Sequence, residues 1–301
     1  MRLLGRARGA PKRPQVIRRG IVLTAVLAVA ATAHAHEGHE VDAQCTAMNG
    51  IVTLDIVSPG FITLFVRPDG GIAWRDEHSN DVHGCEGATV FTTDLLEVID
   101  RSGLEDTAHV TLDLERSWGP GASSEPQGRP EIEISIDLGD DERDDLIVEG
   151  AHFARAGSEG IRLSRDADVD VTMAGVDRLV LLGTDGRDDL SGAGGPAVGA
   201  SLEASFVAAG RAGGDLIGGT GNADTLNGDL GPDIIAAAGG RDLVLAGAGA
   251  DVVTGGRGRD DLNGGAGADV LAGGPGRDMI DGGAARDRCS DGARGDAVYR
   301  C

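Results

Sequence analysis

From Asp215 onward an aspartate returns at every ninth residue: Asp215, Asp224, Asp233, Asp242, Asp251, Asp260, Asp269, Asp278, Asp287 and Asp296. Two places after each stand Ile217, Leu226, Ile235, Val244, Val253, Leu262, Leu271, Ile280, Cys289 and Val298. Such a period is too long for one helical face and long enough for a turn followed by a brief strand, so the copies, held in phase, predict a solenoid. Each carboxylate falls in a turn and each apolar residue on an inward-facing strand position. Carboxylates stacked in turns are the pattern expected of divalent-cation sites.

The best copies are Gly255-Gly256-Arg257-Gly258-Arg259-Asp260-Asp261-Leu262-Asn263, then residues 264–272 and 273–281. They read G-G-x-G-x-D-x-U-x, with U a large apolar residue. Glycine is needed because a tight turn uses positive φ and lets carbonyl oxygens crowd toward one point. Calcium takes six to eight oxygens at ~2.3–2.6 Å, which carbonyls and carboxylates of neighbouring turns can supply. A second, eighteen-residue period is also visible. Arg241, Arg259 and Arg277 precede the aspartate in alternate repeats, whereas Pro232, Ala250 and Ala268 precede it in the others. That arginine row either tempers the field of the carboxylates or is a solvated edge. Leu216, Ile234, Val252 and Val270 would give one sheet an apolar outer face, against Thr225, Asn227, Asp261, Asn263 and Asp281 on the other. The apolar face either packs on a neighbouring segment or a second copy, or reflects aliphatic β-propensity alone.

These motifs resemble the RTX, or haemolysin-type, calcium-binding repeat of secreted bacterial proteins, over about residues 210–287. The resemblance implies an all-β fold: a C-terminal parallel β-roll (β-solenoid) preceded by a β-rich N-terminal region for which a β-helix is one architecture. It implies two stacked columns, Asp215, Asp233, Asp251, Asp269 and Asp287 on one side and Asp224, Asp242, Asp260, Asp278 and Asp296 on the other. It further implies several Ca2+ ions held around Asp224, Asp233, Asp242, Asp251, Asp260, Asp269, Asp278 and Asp287, with Gly256, Gly258, Gly265, Gly267, Gly274 and Gly276 shaping the turns. The chain departs from the pattern where Arg211, Asp229 and Ala238 replace the second glycine and Asn222 and Ala285 the third. The turns from Asp242 to Asp287 are therefore the better formed. Members of this family commonly leave the cell with an uncleaved C-terminal signal, and here too the chain departs.

Residues 2–19 carry seven basic and no acidic side chains, Ile21 to Ala33 is apolar, and Ala33-His34-Ala35 offers a cleavage site. Residues 1–35 thus read as a secretory signal peptide. Its removal leaves 20 basic against 49 acidic residues, a charge of −29, which excludes nucleic acid and anionic membranes as electrostatic partners and favours cations. No later apolar run is long enough for a membrane span. The even cysteine count of an exported chain predicts two disulfides, most economically Cys45 with Cys85 and Cys289 with Cys301. The expected localisation is secreted, extracellular or at the cell surface.

Residues 36–137 read as a β-rich N-terminal domain with strands at 51–57, 61–66, 109–114 and 131–138, an ambiguous stretch at 95–101 and a loop at 118–130. Residues 138–209 read as irregular solenoid with degenerate turns ending in Asp144 and Asp188, and with an irregular coil or insertion at 193–210. Residues 210–301 read as the calcium-binding roll with a disulfide cap. His34, His36 and His39 form either a copper or zinc chelate or a polar arm. His36-Glu37-Gly38-His39 is one residue short of H-E-x-x-H, and G-x-S-x-G is absent. Arg294-Gly295-Asp296 reads as a worn repeat turn. The chain is therefore expected to be a secreted calcium-binding protein whose repeats fold on the ion, with a structural or surface-interaction role. A secreted calcium-dependent polysaccharide-degrading enzyme on a β-helix, using carboxylates with Arg155, Arg162 or Arg165, is the alternative.

Overall fold

The computed structural model describes residues 41–301 except 59, 91–92, 94, 102–107, 115–131, 140–142, 164–168, 291 and 293–295. The leader, the histidine arm, the loop at 118–130, Arg165 and Arg294-Gly295 fall outside them. Every regular element described is a strand, and no helix is long and apolar enough to cross a membrane.

After Asp215 the chain deals short strands alternately to two sheets. In the first, Leu216–Gly218, Ile234–Ala236, Val252–Thr254, Val270–Ala272 and Arg288–Ser290 pair in parallel, Leu216 opposite Ile234, Ile234 opposite Val252, and so on at a constant offset of eighteen. In the second, Asp224–Asn227, Leu243–Ala248, Asp261–Ala266, Met279–Asp281 and Ala297–Tyr299 pair at the same offset. One nonapeptide is thus half a coil. A slip of one residue would turn every inward side chain to solvent, so the apolar phase fixes the register. Ile217, Leu226, Ile235, Val244, Val253, Leu262, Leu271 and Ile280 are all buried to 1 % exposure or less, each such burial contributing roughly 1.5–3 kcal/mol. Val298 leaves the pattern at 40 % exposure because its strand is the edge of the second sheet.

Both sheets continue toward the N-terminus, and the coils widen. Phe61 pairs with His109, His109 with Asp145, Arg178 with Asp145, Arg178 with Ser205 and Phe206 with Asp224, so the offset falls from 48 to 36, 33, 27 and then 18. In the first sheet Ile51–Ile56, Leu95–Asp100, Glu133–Asp137 and Val171–Ala174 stack in parallel, and the hairpin Phe153–Gly157 with Gly160–Arg162 is inserted before the regular coils begin. The ambiguous stretch at 95–101 is therefore a strand. The changes of sequence character at 137/138 and 209/210 fall inside sheets that run on unbroken.

The irregular coil or insertion expected over 193–210 needs correction at its C-terminal part. Ser205–Ala209 is a strand in the second sheet, between Arg178–Leu182 and Asp224–Asn227. Phe206, Val207, Ala208 and Ala209 are buried on both faces, so the strand lacks the alternation by which a half-exposed strand is recognised.

Antiparallel strands close the wide end. Ala43–Met48 lies on Ile51–Ile56, while Gly71–Asp76 and Val82–Thr89 follow Phe61–Val66. The disulfide Cys45–Cys85 joins the edge strand of one sheet to the edge strand of the other. At the narrow end Cys289–Cys301 ties the last strand of the first sheet to the residues after the last strand of the second. Both pairings are the economical ones. Each staples a sheet edge, where a strand paired on one side only is most open to fraying.

Candidate metal centres

Each repeat aspartate sits at or just before the start of its strand, where the turn delivers it to the roll edge. Eighteen residues on, the next aspartate of the same column accepts its backbone amide. Asp215 N–H donates to Oδ1 of Asp233 at 2.8 Å, Asp233 to Asp251 at 2.8 Å, Asp251 to Asp269 at 3.0 Å and Asp269 to Asp287 at 3.0 Å. The second column runs Asp224 to Asp242 at 2.9 Å, Asp242 to Asp260 at 3.1 Å, Asp260 to Asp278 at 3.0 Å and Asp278 to Asp296 at 3.0 Å. The first column extends back one member, since Asp188 N–H donates to Asp215 Oδ1 at 2.8 Å across 27 residues.

The other carboxylate oxygen is left over. Oδ2 of Asp215, Asp233, Asp242, Asp251, Asp260, Asp269, Asp278 and Asp287 is buried without a hydrogen-bond partner. A buried polar atom in that state costs about 1–3 kcal/mol, and more when charged. Burial pushes the carboxyls of Asp233 and Asp242 up to about 7 and that of Asp215 to about 6, with column neighbours such as Asp188, Asp215 and Asp224 adding to the effect against the single amide bond. Asp251, Asp260 and Asp269 are raised by burial in the same way.

Backbone oxygens converge on the same spot. A methyl placed on Gly255 would lie 2.7 Å from Asp260 Oδ2 and 2.8 Å from the carbonyl oxygen of Gly273; on Gly264 it would lie 2.6 Å from both Asp269 Oδ2 and the Gly282 carbonyl. Glycine keeps that oxygen-lined cradle open. Among the described residues no three His, Cys, Asp or Glu side chains converge to hold a metal by themselves, so a cation here draws on the backbone as well. An orphaned anionic oxygen beside carbonyls is a hard-oxygen donor set, and it fits calcium.

The turn glycines serve backbone geometry. Gly256, Gly258, Gly265, Gly267 and Gly274 have φ between 92° and 146°, and a Cβ on Gly276 would strike the Gly258 carbonyl. Where the pattern loses its second glycine the left-handed backbone stays: Arg211, Asp229 and Ala238 have φ of 71°, 67° and 73°, and Ala285, at the third glycine, has 97°.

Two turns are built otherwise. Thr184 and Thr220 stand where the second glycine would be, and neither has positive φ. Thr220 donates its amide to Asp224 Oδ2 at 2.6 Å and its hydroxyl to Oδ1 at 2.8 Å, and its hydroxyl oxygen accepts the Asn222 amide at 3.0 Å. Thr184 does the same for Asp188, amide to Oδ2 at 2.6 Å and hydroxyl to Oδ1 at 3.1 Å, while accepting the Gly186 amide at 3.1 Å.

The family model described as the RTX calcium-binding nonapeptide repeat (4 copies) matches residues 218–253 and again residues 254–289. Residues 218–289 are RTX calcium-binding repeats. No curated protein and no solved structure shows a significant match to the chain. The RTX segment contains the better-formed turns and most of both columns, and calcium is the ion its repeats bind.

Sequence reasoning placed Asp215 in the ladder and in the first column but left it out of the expected calcium ligands, although its carboxylate has the same orphaned oxygen as its neighbours. The aspartate phase alone would have included it. Arg241, Arg259 and Arg277 are exposed at the rim. Leu216, Ile234, Val252 and Val270 are 38–50 % exposed along the outer face of the first sheet, bordered in register by Asp189 and Arg288.

Proposed function

We propose that this is a secreted calcium-binding protein whose RTX roll folds as calcium fills its turns, and that it serves a structural or surface-interaction role. The observation that carries the reading is the buried Oδ2 without a hydrogen-bond partner that recurs in eight aspartates of the two columns. Asp233, Asp242, Asp251, Asp260, Asp269, Asp278 and Asp287 hold the ions, together with carbonyls of the adjoining turns. Calcium neutralises the columns and satisfies the oxygens that protein donors leave over. Each filled site stabilises the roll by about 2.7 kcal/mol when free calcium is a hundredfold above its dissociation constant. The leader and the two disulfides support an oxidising, extracellular setting.

Circular dichroism of the full chain in calcium and in excess chelator tests the calcium dependence. Loss of β signal in chelator is expected, and an unchanged spectrum overturns the reading.

The interaction role rests on Leu216, Ile234, Val252 and Val270. They recur once per coil, so a second copy of this chain presents the same spacing, about 4.8 Å, and can interdigitate with the row. Sedimentation in calcium should show a dimer that Ile234→Asp dissociates. A monomer for both chains removes that part.

A further inference from the structure

Asp188 heads the first column and Asp224 the second: Asp188 is the earliest residue to donate its amide down one rail, and Asp224 is the first donor of the unbroken eighteen-residue ladder on the other, where the earlier bonds of Ala108 to Asp144 and Asp144 to Asp177 stop short of it. These two are also the aspartates closed by threonine. We propose that the two column heads are calcium-free turns in which Thr184 and Thr220 take the place of the ion, so that the chain enters the RTX roll through a hydrogen-bonded coil that is folded before calcium arrives. The proposal rests on the calcium reading above.

Three observations carry it. Asp188 and Asp224 have no orphaned Oδ2, unlike eight of the nine aspartates that follow them in the columns. The donors that satisfy them are neutral, an amide and a hydroxyl from one residue four places earlier, and the hydroxyl is itself anchored by the amide two places on. The backbone differs as well. Positions 211, 229, 238, 247, 256, 265, 274 and 283, the equivalents of Thr220 in the repeats of Asp215 and of Asp233 to Asp287, all have positive φ, whereas Thr220 does not. A turn that points its amide into the carboxylate spends on a hydrogen bond the lone pair that elsewhere faces the cradle. Asp188 has a further partner in His152 Nδ1, 3.0 Å from Oδ1.

The fold gives the device a purpose. A column member needs a neighbour on each side, and the first member has wider, non-repeating coils behind it. Closing that member with protein donors lets Ser205–Ala209 and, one coil on, Asp224–Asn227 form on the N-terminal sheets alone. The next coil then finds a finished edge. Calcium-driven order spreads from there toward Cys289.

Hydrogen exchange of the full chain in excess chelator tests this. Residues 205–227 should stay protected while residues 243–281 exchange at least a hundredfold faster than they do in calcium. Exchange of 205–227 together with 243–281 overturns the proposal while leaving calcium binding intact. Protection of both segments in chelator overturns the calcium reading itself. Thr220→Val, which keeps the shape and removes the hydroxyl, should raise exchange at 205–227 in chelator at least tenfold. Thr220→Gly restores the second glycine of the repeat and should bind one more calcium per chain than the unaltered protein, read as bound metal after gel filtration. Equal counts overturn the proposal.

Discussion

The amide of Asp242 donates to Oδ1 of Asp260 eighteen residues on, while Oδ2 of the same Asp260 is buried with no donor at all. One oxygen holds the coils in register and the other waits for an ion. The same side chain therefore acts with opposite sign in the two states of the roll.

Asp260→Asn separates those roles, because an amide oxygen still accepts the Asp242 amide but no charge remains. In calcium the melting temperature should fall, by the several degrees that 1–3 kcal/mol represents for a segment of this size. In chelator it should rise. A fall of equal size in both buffers would show that Asp260 is structural only.

Protons should mimic calcium in its absence. Without metal, burial holds Asp233 and Asp242 at about 7 and Asp215 at about 6, against about 4 for an unfolded aspartate. A carboxyl raised on folding contributes stability that is complete below pH ~4 and is lost as pH climbs through 6–7. In chelator the β signal should thus grow as pH falls from 8 to 4, and in calcium it should weaken as protons displace the ion. Asp145 works the other way: burial opposes its ionisation, but His109 and Arg178 outweigh burial and hold it low, so the wide coils lose stability in acid. A chelator titration that is flat or falls toward acid would refute the assignment.

Ala238 has φ of 73° at a position that is glycine in the next repeats, Gly247, Gly256, Gly265, Gly274 and Gly283. A left-handed L-residue costs about 1–2 kcal/mol, so Ala238→Gly should stabilise the calcium-loaded roll by about 1 kcal/mol after the entropy glycine adds to the unfolded chain. Thermal denaturation in calcium reads the difference. No gain, or a loss, would mean the turn relaxes around alanine.

Opening the terminal staple should loosen the last coil first. Cys289→Ser with Cys301→Ser removes a cross-link across twelve residues, worth about 3 kcal/mol on the chain-entropy view. Amide exchange should quicken at 288–290 and 297–299 and stay unchanged at 243–263. Uniform quickening would make the disulfide a global rather than a local restraint.

The roll was legible because its inward position and its carboxylate repeat at one fixed interval, so Ile217 to Ile280 and the two columns could be numbered before any fold was known. Ser205–Ala209 was hidden by being buried on both faces. The hairpin at 153–162 has no repeat to announce it. The shrinking coils escaped notice for a related reason: with offsets of 48, 36, 33 and 27 no two neighbouring coils share a period. Thr220 stood in plain view in the phase of the second glycine. Its meaning depends on a negative φ and two donors aimed at Asp224, and composition at one position conveys neither.

Because a coil closes after two nonapeptides, the roll has a grammar for how genes of this kind can lengthen. Duplicating one whole coil adds a rung to each rail and leaves every later residue in its sheet. Duplicating a single nonapeptide hands each later strand to the opposite sheet, exchanging the row of Ile234 and Val252 for that of Leu243 and Asp261. Heredity at this end of the molecule is counted in pairs.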